Sequence, residues 1–177
     1  MLSDNSLNNW ILSDKNKQQR LAQRGVNYLL IAPPNKQTIY SEFIGEALRS
    51  HNGASRFTQI KNKLSDDEKS ALVDLTPVLL KNKDAEALFF KSDTHWTPYG
   101  AYLGYTAIAE KIEALFPDLQ FKKDFTFTKT ITRRCDSSTK NCGDLTNMLL
   151  DYEVFAESYR NVNLSHSWAV KKPLDFY

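Results

Sequence analysis

Asp93 and His95 are the residues of this chain whose types and spacing point most directly to chemistry. They stand two positions apart in Asp93-Thr94-His95, and side chains two apart in an extended segment point the same way. A carboxylate beside imidazole Nδ1 fixes the tautomer and stabilises the imidazolium, which leaves Nε2 available as a general base. The spacing therefore predicts an acid–base pair, although an Asp-x-His also occurs commonly in surface loops.

Covalent catalysis would need a nucleophile as well, and the sequence contains no Gly-x-Ser-x-Gly turn. Ser55, in Gly53-Ala54-Ser55, comes nearest, but it lies in a polar stretch with no strand before it. Ser92, Ser165 and Ser167 are candidates by composition alone. A solvated serine is the simpler interpretation of each.

Metal and cofactor motifs are absent from the sequence. It has no His-Glu-x-x-His cluster, no Gly-x-Gly-x-x-Gly turn and no phosphate-binding loop, so we expect no metal site and no cofactor. Cys135 and Cys142 match no zinc or redox spacing. They are candidates for a disulfide in a polar loop, with two free thiols as the alternative.

Composition limits the class of protein. The 177 residues are 41% hydrophobic and 12% aromatic, which favours a single folded domain and rules out wholesale disorder. A net charge of +2 gives no electrostatic case for binding nucleic acid. No apolar run approaches the length of a transmembrane helix, and the first residues lack the features of a secretory signal.

The elements around Asp93 and His95 alternate between strands and helices. Short apolar runs predict strands over 26–32, 72–75 and 88–90, and an alternating pattern predicts another over 125–132. Helices are predicted over 14–24, from Thr76, over 98–116 and, after the Gly143–Thr146 block, in a mixed stretch to Tyr159, with a capping box at Ser65 and Glu68. This order is typical of an α/β fold with a mainly parallel sheet, in which Asp93 and His95 follow the carboxyl end of a strand.

Three blocks of the sequence carry a family resemblance. Residues 90–100 include Asp-Thr-His-Trp-Thr-Pro-Tyr-Gly, residues 32–40 include Pro-Asn-Lys-Gln-Thr-Ile-Tyr, and residues 143–148 begin Gly-Asp-Leu. In this order they resemble blocks of the periplasmic alginate O-acetyltransferase family, the SGNH-hydrolase-like proteins of bacterial exopolysaccharide acetylation. The first block is the most specific of the three.

This resemblance implies a three-layer α/β/α sandwich with a Ser-His-Asp triad that moves acetyl groups onto hydroxyls of an alginate-like exopolysaccharide. By the motif match, Asp93 would be the orienting acid and His95 the base, and Lys36, Tyr40 and Trp96 become candidate substrate-binding residues. The resemblance also implies a polysaccharide acceptor, an acetyl donor from a membrane-bound acyltransferase system, and a periplasmic location.

The nucleophilic serine of the family lies in a Gly-x-Ser type turn, well after the Gly-Asp-Leu block. No glycine follows Gly143 in this sequence. We therefore expect residues 1–177 to be a single SGNH-like domain that is incomplete, and to be inactive alone for lack of the nucleophile segment.

Two other functions agree with the same residues. A polysaccharide O-acetyl esterase of this fold would use water as the acceptor and release free acetate. A non-catalytic carbohydrate-binding or assembly module would bind glycan indifferently to His95→Ala. The simplest alternative is an α/β domain in which Asp-x-His is accidental.

Overall fold

The computed structural model describes residues 3–46, 54–135, 143–149 and 155–162, and its chain divides into two compact units, Met1–Lys81 and Asn82–Tyr177. The described helices are α1 (Asp4–Ala22), α2 (Lys36–Ile39), α3 (Arg56–Lys63), α4 (Asp66–Ser70), α5 (Thr76–Asn82), α6 (Pro98–Leu115) and α7 (Asp144–Leu149), with a 3₁₀ turn at Ser41–Phe43. The described strands are β1 (Leu30–Ala32), β2 (Leu72–Asp74), β3 (Phe127–Cys135) and β4 (Phe155–Val162). That residues 1–177 form a single domain stays a prediction.

In the first unit, β1 and β2 pair in parallel, with Leu30 opposite Leu72 and Ala32 opposite Asp74. The parallel pairing predicted from the apolar runs is confirmed. The strand is shorter than predicted, however, and its Ile31 is 42% exposed. Within the described residues β1 has β2 as its hydrogen-bonded neighbour, which leaves part of the apolar run in contact with solvent.

Helix α1 begins ten residues before the predicted start. The Ser3 hydroxyl accepts a hydrogen bond from the Ser6 N–H (3.2 Å), and Asp4 adds a favourable charge in the first turn. The predicted end is close to the observed one, because Gly25 adopts a φ of 70°, a left-handed conformation that favours glycine.

The predicted capping box is confirmed at α4. The Ser65 hydroxyl accepts from the Glu68 N–H, and the Glu68 carboxylate accepts from the Ser65 N–H at 2.8 Å. These hydrogen bonds, the backbone one foremost, hold the pKa of Glu68 below its ordinary value. At the start of α5 the Asp74 carboxylate accepts from the Thr76 N–H at 3.0 Å, so a side chain from β2 caps the next helix.

The segment predicted as a third parallel strand, residues 88–90, pairs differently in the second unit. Phe89 forms an antiparallel bridge with Trp96, and the Thr97 N–H donates to the Leu88 carbonyl at 2.9 Å. The chain therefore reverses within a few residues, and the expectation that Asp93 and His95 follow the end of a parallel strand is wrong. The short intervening loop permits a local antiparallel contact, whereas a parallel neighbour needs a crossover.

Helix α6 begins where the sequence predicts. The Thr97 hydroxyl caps it by accepting from the Gly100 N–H at 3.2 Å, with Pro98 in the first turn. Tyr102 and Tyr105 donate their hydroxyls to the carbonyls of Lys123 and Lys122. These tyrosines therefore fasten the following segment to the helix.

Strands β3 and β4 pair antiparallel, with Ile131 opposite Tyr159 and Arg133 opposite Glu157. The predicted strand over 125–132 is confirmed in kind and lies slightly later. Helix α7 is much shorter than the predicted helical stretch, and Tyr159 belongs to a strand. Strand β4 was not predicted from the sequence, because its residues show no clear period.

The architecture as a whole is α/β, as the sequence predicts, but its described sheets are one parallel pair and one antiparallel pair. Among the described residues the parallel sheet is small, with β1 and β2 as its strands. Buried apolar side chains form a core in each unit, with Leu7, Ile39, Leu64, Val73, Leu75 and Leu79 in the first and Leu88, Phe89, Leu103 and Ala109 in the second. Within the described ranges, none of the helices has the length and apolar character to cross a membrane.

Candidate active site

The loop between the bridged residues Phe89 and Trp96 carries Asp93 and His95. The Phe90 N–H donates to the His95 carbonyl at 3.2 Å, which closes the loop at its base. Asp93 Oδ1 accepts from the His95 N–H at 3.1 Å, a side-chain turn that aspartate favours. The segment is thus bent, and the extended conformation assumed from the sequence is wrong.

The bend nevertheless brings the two side chains together. Asp93 Oδ1 lies 2.5 Å from His95 Nδ1, within hydrogen-bonding distance. Because an ionised carboxylate only accepts, Nδ1 is assigned the proton, and Nε2 becomes the basic nitrogen of the neutral ring. The geometry is therefore that of an oriented imidazole base.

Burial differs sharply between the two partners. The Asp93 side chain is 11% exposed, whereas the His95 side chain is 76% exposed. A carboxylate shielded from water interacts more strongly with the positive charge that the imidazole gains on protonation. The exposed ring remains open to a reactant from solvent.

Contacts from β4 hold the start of this loop. The carboxylate of Glu157, itself buried, accepts from the Lys91 N–H at 2.5 Å and from the Ser92 hydroxyl. Next to it, the rings of Tyr159 and Phe90 meet edge to face with centroids 4.9 Å apart. These contacts connect residues more than sixty positions apart, and no sequence pattern indicated Glu157.

The middle of the loop is held by Asp144, the first residue of α7. Its carboxylate accepts from the Thr94 N–H at 2.7 Å and from the Thr94 hydroxyl. Asp144 Oδ2 also lies 3.8 Å from His95 Nδ1. Sequence reasoning singled out the Gly143-Asp144-Leu145 block without giving Asp144 a role.

Asp93, His95 and Asp144 are also a group of possible metal ligands, with ligand atoms within 4.8 Å of one another. No linear metal motif revealed this cluster, because Asp144 reaches it through the fold. The hydrogen bond between Asp93 and Nδ1 uses the same atoms that a cation would need, so the geometry fits an oriented base at least as well as a metal site.

The other candidates from the sequence have structural partners or belong to the first unit. Trp96 is half-buried against Phe89, with ring centroids 6.1 Å apart. Lys36, in α2, and Tyr40, directly after it, belong to the first unit. Their assignment to substrate binding stays a prediction.

Among the serines, the hydroxyl of Ser92 is buried and donates to Glu157, and that of Ser55 caps α3. Both contacts favour structural roles for these hydroxyls. Ser165, Ser167 and Cys142 lie outside the described residues, as does the side chain of Cys135, so the disulfide stays a prediction.

Comparison with solved structures supports the fold. PatB1 of Bacillus cereus matches 92% of this chain and 54% of its own, with a TM-score of 0.64 and 19% sequence identity. A second structure of PatB1, with a sulfonyl adduct, matches 77% of this chain with a TM-score of 0.60 and 21% identity. At these identities the likeness concerns the fold alone.

Related proteins also match part of this chain by sequence. The probable alginate O-acetylase AlgJ of Pseudomonas putida is 30% identical over 95 residues, or 52% of this chain. The protein of the same name from Pseudomonas aeruginosa is 34% identical over 95 residues. The matched stretch is 24% and 23% of the length of these two relatives, so the chain matches about a quarter of each.

A family model covers most of the chain. The model described as the SGNH hydrolase-like domain of the acetyltransferase AlgX matches residues 8–168. The family expected from the sequence blocks is thereby confirmed, together with its SGNH-hydrolase-like fold. This chain belongs to the family of SGNH hydrolase-like acetyltransferase domains typified by AlgX.

Proposed function

We propose that this protein is an O-acetyltransferase that moves acetyl groups onto hydroxyls of an alginate-like exopolysaccharide, with His95 as general base and Asp93 as the orienting acid. The observation that carries this proposal is the 2.5 Å contact between the shielded Asp93 carboxylate and Nδ1 of the exposed His95 ring. Membership of the acetyltransferase family supplies the reaction class.

The reaction is a double displacement. His95 Nε2 takes the proton of a serine hydroxyl as that oxygen attacks the acetyl carbonyl of the donor, and the imidazolium then gives the proton to the departing group. A sugar hydroxyl next attacks the acetyl-serine, with His95 again taking the proton and returning it to the serine oxygen. Asp93 stabilises the imidazolium in both halves.

The serine itself is part of the proposal. Family resemblance supports a serine in a Gly-x-Ser turn after the Gly-Asp-Leu block, and no glycine follows Gly143 among the 177 residues. We propose that a serine of this kind is the nucleophile of the full-length protein and that residues 1–177 alone transfer no acetyl group.

The relatives support a proposal for the substrate and the location. The name alginate O-acetylase supports an alginate-like acceptor. Lys36, Tyr40 and Trp96 are proposed to bind it, because they belong to the blocks that resemble the family. We further propose that a membrane-bound acyltransferase system provides the acetyl group and that the protein acts in the periplasm.

A polysaccharide O-acetyl esterase is the second candidate. The 76% exposure of the His95 side chain favours it, since water could reach the same base. The two functions differ only in the acceptor that attacks the acetyl-serine.

Product analysis separates them. The full-length protein is supplied with an acetyl ester donor and deacetylated alginate, and glycan-bound acetyl and free acetate are measured. The proposal predicts that acetyl on the glycan exceeds the acetate released. Acetate alone would support the esterase, and glycan binding without either product would contradict both enzyme functions.

A further inference from the structure

Thr94 stands between the two residues of the proposed acid–base pair, and Asp144 binds both of its hydrogen-bond donors. The Thr94 N–H donates to Asp144 Oδ1 at 2.7 Å, and the Thr94 hydroxyl donates to Oδ2. The Thr94 side chain is exposed. Its two hydrogen bonds to one carboxylate nevertheless fix the position of the Thr94 backbone. Charge-assisted hydrogen bonds of this kind are stronger than neutral ones.

Asp144 is itself held close to the loop by its neighbours. Gly143 is buried, and a Cβ atom there would overlap the Ser92 carbonyl and lie 2.8 Å from Asp93 Cβ. The Thr146 N–H also approaches the Ser92 carbonyl, at 3.4 Å. The start of α7 therefore lies against the loop at backbone level, and the carboxylate is placed by packing that only glycine allows.

Release of Thr94 would allow Asp93 and His95 to move relative to each other, because they are its two chain neighbours. Asp144 Oδ2 lies 3.8 Å from Nδ1, beyond hydrogen-bonding distance, whereas its contacts with Thr94 are direct. We propose that Asp144 is a positioning residue, which acts through Thr94 to hold the His95 imidazole against Asp93. The inference rests on the proposed function of Asp93 and His95.

Asp144→Asn distinguishes this role from an action of the negative charge on the imidazole. The asparagine oxygen can still accept from the Thr94 N–H, and its amide can donate to the Thr94 hydroxyl oxygen. The contact to Thr94 is preserved while the charge is lost. Asp144→Ala removes both, and Asp118→Ala, at an exposed position after α6, serves as the control.

The first readout is the Nδ1 proton of His95 in the 177-residue chain, followed by NMR after labelling histidine with ¹⁵N. A hydrogen bond to a carboxylate shifts this proton strongly downfield and slows its exchange with water. We expect the resonance in the wild type, in Asp144→Asn and in Asp118→Ala, and its loss in Asp144→Ala. This readout needs no nucleophile, so it is independent of acetyl transfer.

The second readout is acetyl transfer by the full-length protein. Asp144→Ala should lower kcat by roughly 10²-fold through misplacement of the base, with KM little changed. Asp144→Asn should stay close to the wild-type kcat. If the resonance behaves as predicted but the wild type transfers no acetyl group, the proposed function fails while the positioning role stands.

Wild-type behaviour of Asp144→Ala would overturn the inference. Equal impairment of Asp144→Asn and Asp144→Ala would also overturn it, because that result would assign the effect to charge. Should Asp144→Ala fail to fold, the exposed Thr94 supplies a second pair of variants. Thr94→Val loses the hydroxyl contact and should weaken the Nδ1 signal, whereas Thr94→Ser keeps both. Equal signals in these two variants would likewise overturn it.

Discussion

The orientation of one imidazole ring depends on atoms that a linear sequence places two residues apart. Asp93 accepts from the backbone of His95 and faces its Nδ1, so one carboxylate sets both the bend of the loop and the tautomer of the ring. The spacing alone could predict the meeting of the two groups. It could not predict the bend, because that depends on Glu157 and Asp144, which come from distant segments.

Asp93→Asn tests the role of the carboxylate at this scale. The asparagine oxygen can accept from the His95 backbone N–H, as Asp93 Oδ1 does, so the loop should keep its shape. The uncharged amide, however, does not stabilise the imidazolium, and it does not fix the tautomer because its NH2 group can donate to Nδ1. We expect kcat for acetyl transfer by the full-length protein to fall by roughly 10³–10⁴-fold. Steady-state kinetics beside Asp118→Asn would check this, and a wild-type kcat in Asp93→Asn would exclude an orienting role.

Among the elements, those with local signals were predicted best. Thr97-Pro98 starts α6 and Ser65 with Glu68 starts α4 as predicted, because a cap and its partner lie within four residues. The segment 88–90 was predicted with the wrong pairing. Its apolar run is compatible with a parallel strand or an antiparallel bridge, and contacts far along the chain decide between them.

Helix α6 contacts residues 88–90, the segment that leads to Asp93, at a glycine. A Cβ atom on Gly100 would overlap the Leu88 carbonyl oxygen, whereas one on Gly45 would meet nothing within 4 Å. We expect Gly100→Ala to lower the free energy of unfolding by about 1–3 kcal/mol, since the backbone must shift to admit the methyl group. Gly45→Ala should lie within about 0.5 kcal/mol of the wild type.

Urea unfolding of both variants measures these effects. Equal stability of Gly100→Ala and Gly45→Ala would contradict the close approach of α6 to Leu88. Because residues 88–90 continue into the loop that carries Asp93 and His95, Gly100→Ala should also weaken the downfield Nδ1 resonance of His95.

For the molecule as a whole, the family model identifies an SGNH hydrolase-like acetyltransferase domain, and the fold of PatB1 matches 92% of the chain. The sequence blocks sufficed for this because they contain the loop that carries the proposed acid and base. The burial of Asp93 and the exposure of His95 could not be predicted from them, since burial depends on how distant segments pack.

Alkaline stability of the protein should depend in part on the phenol of Tyr28 in the first unit. Tyr28 donates to buried Asp14 at 2.6 Å, and burial, then the hydrogen bond and the charge of Asp14, raise the pKa of Tyr28 from 10.0 to about 12. A raised folded-state pKa gives a stabilising contribution that is complete below pH 10 and is lost as the pH rises to about 12.

We expect the free energy of unfolding to fall by on the order of 1–2 kcal/mol more in the wild type than in Tyr28→Phe across this range. Urea titrations of both proteins at pH values on either side of the window measure the difference. Parallel curves for the two proteins would show that Tyr28 makes no such contribution.

The central claim is that His95 is the base of an acetyl-transferring site. The most direct test is the initial rate at which the full-length protein moves a labelled acetyl group to deacetylated alginate, compared among wild type, His95→Ala and the exposed control Asp118→Ala. We predict that His95→Ala reduces the rate to the background without enzyme while the control keeps the wild-type rate. Transfer at the wild-type rate by a folded His95→Ala protein would contradict the account.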